Sequence, residues 1–353
     1  MPHTTPLIFD GHNDILSRLV DRPRAEALEA LRNGNGSGHL DLPRMKAGGF
    51  GGGMFAIYIS NPPEVGFDME AMLQPSYDIP HPPEVPHARA LPRALAEASL
   101  LIDMDRAGLL RICTSAAGIE AAMTDGQIAA VMHIEGAEMI DPDFHALDVF
   151  HAAGLRSLGP VWSRPNMFGT GAPFRFPSDG DTGPGLTEAG KDLIRACLAR
   201  GIAVDTAHMN MKEFFDVVAL SDKPIINSHS NAVSVTRHAR NLTDDQLRVI
   251  GESGGLVGLN FATAFLRDDG QMRAQTPIET MIRHLDHMIA QAGEDCVGLG
   301  SDFDGAVVPD GIGDVAGLPA LRDAMQNAGY GADLITKLCH GNWVRVLRAT
   351  WGA

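Results

Sequence analysis

Eight short apolar runs, separated by longer stretches of helical period, limit most sharply what this 353-residue chain can become. The runs are rich in Val, Ile and Phe and end at His12, Ile59, Glu135, Trp162, His208, His229, Phe261 and Asp302. Between them, helices are predicted over Arg93–Ala107, Thr187–Arg200, Asp244–Ser253 and Pro277–Ala292. The last carries Ile278, Met281, Ile282, Leu285, Met288 and Ile289 at the spacing of one buried helical stripe. Strand-then-helix alternation of this kind predicts an α/β fold, a parallel sheet closed into a (β/α)8 TIM-type barrel. A single domain over residues 1–353 is expected, since such barrels run well past ~200 residues. An open doubly wound sheet is the alternative, but no GxGxxG follows the first run, which weakens its dinucleotide-binding version.

Two stretches break the rhythm. Asn61–His87 is crowded with proline, and Arg164–Gly185 is rich in Gly and Pro. Both follow strands, so in a barrel both become long loops at the C-terminal face, where active sites form, and they distort its regularity.

Charge removes whole classes of partner. Lys and Arg number 28 against 44 Asp and Glu, a formal charge of −16, which argues against nucleic acid and anionic membranes. The four cysteines (Cys113, Cys197, Cys296, Cys339) form no CxxC pair, which suits a reducing compartment. No signal-like segment opens the chain, and no apolar run reaches the ~18 residues of a membrane span, so a cytoplasmic protein is expected.

The runs end in chemistry-bearing residues: His12-Asn13-Asp14, His133-Ile134-Glu135, Asp205-Thr206-Ala207-His208, His229 and Asp302-Phe303-Asp304. Side chains at i and i+2 share a strand face, so His12 and Asp14 can converge. Closing the barrel brings Glu135, His208, His229 and Asp302 to the same mouth. Any one of these, taken singly, reads as a cap or a hydrogen-bonded structural residue. Several imidazoles and carboxylates together raise one another's electrostatic cost, and divalent cations relieve it. Such N/O donors suit Zn²⁺, with Mn²⁺ or Co²⁺ as alternatives. Five ligands exceed one tetrahedral ion and suit two ions sharing a carboxylate and a bridging hydroxide. His145, His151, His284, His287 and His340 lie in or beside helical stretches and read as surface or packing residues.

In order, DGHND, HIEGAE, VDTAHM, INSHSNA with a later RN, and GLGSDFDG resemble the motifs of the membrane (renal) dipeptidase family, zinc peptidases of amidohydrolase-like barrels. GNWVRVLRATWG resembles its terminal helix, so the likeness spans Phe9 to Gly352. The resemblance implies a dipeptide substrate, often with a D-configured C-terminal residue, and two Zn²⁺. His12 and Asp14 match the ligands of one ion, His208 and His229 those of the other, and Glu135 the bridge. Asp302 matches the proton-handling aspartate, Arg240 the arginine that pairs with the substrate carboxylate, and Tyr58 a pocket-lining residue. A homodimer is carried by the same analogy. One position departs: Trp162 stands where the family has a histidine that binds the scissile carbonyl or the oxyanion. Its indole N–H, His238, Arg164 or the metal alone could supply that function. The departure admits a second reading, a hydrolase of another small amide, ester or lactam. A third, a non-catalytic metal-binding relative, is opposed by the complete ligand set together with Asp302.

Overall fold

The computed structural model describes residues 5–62, 65 and 68–352. All eight apolar runs form strands: β1 Ile8–Asn13, β2 Phe50–Tyr58, β3 Ala129–Glu135, β4 Leu155–Gly159, β5 Ala203–Val204, β6 Ile226–Asn227, β7 Leu256–Asn260 and β8 Val297–Gly300. They pair in parallel in the spatial order β5-β4-β3-β2-β1-β8-β7-β6. An isolated parallel bridge, Asp205 to Ile226, joins the two ends of that path and nearly closes the ring. The fold is the (β/α)8 barrel, with a short extra strand, Arg111–Ile112, beside β3. Predicted helices appear at His87–Arg106, Glu188–Ala199, Asp244–Glu252 and Ile278–Ala292, and the last buries Met281, Ile282, Leu285 and Met288.

The strands are shorter than the apolar runs. β5 stops at Val204 and β6 at Asn227, so His208 and His229 sit on the loops beyond, as do Trp162 and Asp302. The parity argument for His12 and Asp14 also needs correction. The β1–β2 ladder slips by one residue between Asp10 and Asn13, and Asp14 has left the strand to stand before the helix Ile15–Leu19. A bulge re-aims side chains in this way, and here it delivers His12 to the barrel mouth.

The interior is filled from the opposite end. Phe9, Met54, Ala129, Val131, Ala203, Ile226 and Leu256 cluster with Trp343 and Leu347 of the terminal helix Asn342–Trp351. Trp343 is fully buried and donates its indole N–H to the Leu299 carbonyl at 2.9 Å. Gly11 and Gly298 make room: a Cβ on either would come within 2.4 Å or 2.8 Å of the indole. The N-terminal end of the barrel is thereby a packed apolar plug, which leaves the polar residues to the other end.

The two irregular stretches meet each other. Tyr77–Ile79 and Phe174–Phe176 form an antiparallel ribbon over the C-terminal face, packed with Met72, Ala262 and Phe265. Residues 63, 64, 66 and 67 of the proline-rich stretch lie outside the described residues. No described helix is long and apolar enough to cross a membrane.

If Trp343 is the plug, Trp343→Ala will cost about 3–5 kcal/mol in urea denaturation followed by circular dichroism. Val149→Ala, on the exposed surface, will stay within about 0.5 kcal/mol. Equal losses at both positions would contradict the assignment.

Candidate metal centre and its cavity

Glu135 ends β3 on the inward face, and three imidazoles converge on it. Its Oε1 lies 3.0 Å from His208 Nε2, 3.4 Å from His229 Nε2 and 3.6 Å from His12 Nε2. The two nitrogens of His208 and His229 are 3.1 Å apart. On the other side, His12 Nε2 lies 3.3 Å from Asp14 Oδ2. Two overlapping donor groups result, His12–Glu135–His229 and His12–Asp14–Asp302. Donors held ~2.0–2.1 Å from a tetrahedral zinc stand about 3.3–3.4 Å apart, so these spacings fit ligands that share a cation. Neither ring nitrogen of His12 has a hydrogen-bond partner although the residue is buried, which is how an imidazole reserved for a metal looks.

A layer of polar contacts aims these donors. Ser163 Oγ lies 2.8 Å from His208 Nδ1, and Ser228 Oγ lies 2.7 Å from His229 Nδ1. Ser228 in turn donates to Asp205 Oδ2 at 2.5 Å, and Asp205 Oδ1 accepts the backbone N–H of Ser228. With Nδ1 engaged, each Nε2 is left for the centre, the orienting arrangement that tunes metal ligands. Asp10 plays the analogous part for β8, accepting Ser301 N–H at 2.6 Å and Ser301 Oγ–H at 2.7 Å. His133, buried one step below Glu135, is held by Ser157 and Asp205.

The backbone is strained at the same place. Four described non-glycine residues have positive φ, and three of them are His208 (65°), Asp302 (60°) and Asp304 (70°). Left-handed backbone at such residues persists when the surroundings over-determine it, and it clusters at functional sites. Asp304 is clamped from both sides, by Arg18 Nε at 2.7 Å and by the His39 N–H at 2.5 Å. That fixes the turn carrying Asp302, whose Oδ2 accepts from Asn260 Nδ2 at 3.1 Å.

Electrostatics follow from crowding. Burial, helped by Asp14 and Asp302 and opposed by His12, pushes Glu135 up to about 8. Burial and the Asp14 charge also raise Asp302. Burial works against a charged His12, yet Glu135 and Asp14 outweigh it and lift that imidazole to about 10. His208 and His229 are driven well below the usual histidine range, by burial and then by nearby positive groups. The cluster thus pairs carboxylates reluctant to ionise with two imidazoles, His208 and His229, reluctant to protonate, and an added cation settles both.

A cavity of about 400 Å³ opens on the centre. Asp14, Tyr58, Glu135, Trp162, His208 and Asp302 line it, with Phe174, Phe265, Met72 and Met272 as its apolar wall. His12, His229 and Arg240 are buried and are not part of that lining. Arg240 is 3% exposed, its guanidinium 5.5 Å from the Phe265 ring, and burial lowers it to about 10. It donates only long bonds, to His229 O at 3.3 Å and Ser230 Oγ at 3.4 Å, and its Nε has no partner.

Trp162 packs against Tyr58 (5.2 Å between ring centroids), Phe174 (5.6 Å) and His208 (5.7 Å). Arg164 is fully engaged elsewhere. It donates to Glu138 Oε1 from both Nε and Nη2, to the Ile59 carbonyl and to Asn61 Oδ1, under the faces of Tyr58 and Trp162. His238 accepts the Arg240 N–H and packs on Phe265, outside the cavity lining. Sequence reasoning overlooked the buried Glu138–Arg164 pair, Asn260 and the two serines. Only Glu138 carried a signal, as the second carboxylate of HIEGAE.

Residues 3–351 match the membrane dipeptidase family, peptidase family M19. Among solved structures, a metallopeptidase from Rhodobacter sphaeroides, liganded with a phosphinate mimic of the dipeptide L-Ala-D-Ala, is 52% identical with a TM-score of 0.96. That likeness covers 99% of this chain and 100% of the other. An uncharacterised protein encoded in the region 5′ of pqqA in Klebsiella pneumoniae is 49% identical over 245 residues, 69% of this chain and 90% of the relative. A probable dipeptidase from Pseudomonas aeruginosa shares the fold at 22% identity and a TM-score of 0.78, over 98% of this chain and 96% of that one. The chain belongs to the membrane dipeptidase family, peptidase family M19, and with it to the metallopeptidases.

Proposed function

We propose that this protein is a binuclear zinc-dependent dipeptidase that hydrolyses the amide bond of dipeptides, including those with a D-configured C-terminal residue. The observation that carries the reading is the pair of overlapping donor groups around His12 and Glu135, opening on one cavity. His12 and Asp14 would hold one ion, His208 and His229 the other, and Glu135 would bridge them. Their N/O character fits Zn²⁺, with Mn²⁺ or Co²⁺ as substitutes. Bound there, the cations supply positive charge that polarises a carbonyl and lowers the pKa of water. The phosphinate dipeptide mimic on the Rhodobacter sphaeroides metallopeptidase supports both the substrate class and the D-configured second residue.

The chain's own groups account for the remaining steps. Asp302, its carboxyl raised by burial and by Asp14, is suited to accept a proton from the attacking water. It returns that proton to the nitrogen as the C–N bond breaks, leaving a carboxylate and an amine. Asn260 keeps the carboxyl oriented between the two transfers. Arg240, with donors still available, pairs with the terminal carboxylate of the substrate, a geometry guanidinium favours. Tyr58 and Trp162 form the wall beside the scissile bond.

With zinc-loaded protein, L-Ala-D-Ala and related dipeptides are expected to turn over, and the products to be free amino acids. Asp302→Asn should reduce kcat by at least ~10²-fold, the lower end of what a positioned acid–base group contributes. Equal activity of the variant and the wild type would remove Asp302 from the proton path.

Trp162 favours a second reading, the same centre acting on another small amide, ester or lactam. A panel of dipeptides, N-acyl amino acids and lactams separates the two. If dipeptides are poor substrates and Trp162→His raises their kcat/KM, the second reading holds; efficient wild-type dipeptide turnover rejects it.

A further inference from the structure

Amide hydrolysis in this cavity makes the carbonyl oxygen negative, a hydrogen-bond donor there would add to the stabilisation that cations give, and residue 162 carries no imidazole. Two candidate substitutes are already engaged or misplaced. Arg164 is bound to Glu138, Asn61 and Ile59, and His238 is held by the Arg240 backbone N–H at its Nδ1 and packed on the Phe265 ring. Ser17 donates to Glu97, and Asn61 is tethered by Arg164 through its side-chain oxygen.

Tyr58 stands in a different position. It ends β2 directly beside Glu135, its register partner on β3, and it lines the cavity. Its backbone N–H donates to the buried carboxylate of Glu97 at 2.9 Å, which pins the strand end. Its ring is held between Trp162, at 5.2 Å, and the Arg164 guanidinium, 5.8 Å from its centroid. Among the described residues its hydroxyl has no hydrogen-bond partner, whereas the buried phenol Tyr77 donates to Gly270 O at 2.7 Å. Burial holds the Tyr58 phenol above its ordinary range, so it is a neutral donor at pH 7 and needs no titration to act. A cation over its face draws electron density from the ring and strengthens that donor.

We propose that the Tyr58 hydroxyl is the hydrogen-bond donor to the scissile carbonyl oxygen in the tetrahedral intermediate, the role for which the family uses a histidine. On this inference Trp162 and Arg164 are the residues that orient the phenol. The inference rests on the hydrolase reading above. No bond to Tyr58 forms or breaks; its proton stays on the phenol oxygen throughout.

The test is Tyr58→Phe in the zinc-loaded enzyme, which removes one oxygen and keeps the ring. Expected is a kcat lower by ~10²-fold with KM within about threefold, the mark of an interaction made only in the transition state. Affinity for a phosphinate dipeptide mimic, measured by calorimetry, should fall by a comparable factor, while metal stoichiometry and melting temperature stay at wild-type values. If kcat and phosphinate affinity remain within about threefold of wild type, the assignment is overturned. A variant that loses metal or melts early overturns it too, by showing a structural role. A wild type that turns over no dipeptide contradicts the hydrolase reading instead, so the two failures are distinguishable.

Discussion

Everything at the open end of this barrel is arranged around one carboxylate. Glu135 Oε1 stands within 3.0–3.6 Å of three imidazole nitrogens, and Asp14 and Asp302 add negative charge beside it. Buried, such a cluster is unfavourable in every protonation state, because each proton that relieves one neighbour burdens another. The chain tolerates it only because the rest of the fold is rigid. Ser163, Ser228 and Asp205 hold the imidazoles, left-handed backbone at His208 and Asp302 points them inward, and Asp304 locks the β8 turn.

That rigidity comes from the other end. Trp343 and the terminal helix fill the barrel from the N-terminal side, against strands narrowed by Gly11 and Gly298. Apolar burial there compensates for polar crowding at the C-terminal face, and the division of labour is the ordinary one for this architecture. The two long loops then roof the site as an antiparallel ribbon, turning an exposed mouth into a cavity with one polar and one apolar side.

Much of this was legible in the residues themselves. All eight strands could be placed because their apolar runs are short, β-branched and bounded by turn residues. The residues that converge on Glu135 were found because each closes such a run. What escaped was geometry that spacing cannot encode. The bulge in β1 brings His12 inward by a register slip, which no period-2 argument contains. β5 and β6 end before their histidines, so the backbone there is set by loop hydrogen bonds and not by the ladder. The Glu138–Arg164 pair joins residues 26 apart in a contact between the loops that follow the paired strands β3 and β4. The ribbon over the mouth likewise pairs segments nearly 100 positions apart, without a sequence pattern to announce it.

The central claim is that the donor groups around Glu135 hold two cations and not one. It is tested most directly by stripping the protein with a chelator, titrating Zn²⁺ back, and counting bound equivalents per chain by elemental analysis. Two equivalents in the wild type, with the count or the affinity falling in Glu135→Gln, is the expected result. Saturation at one equivalent, or a Glu135→Gln variant that binds two as tightly as the wild type, would contradict it.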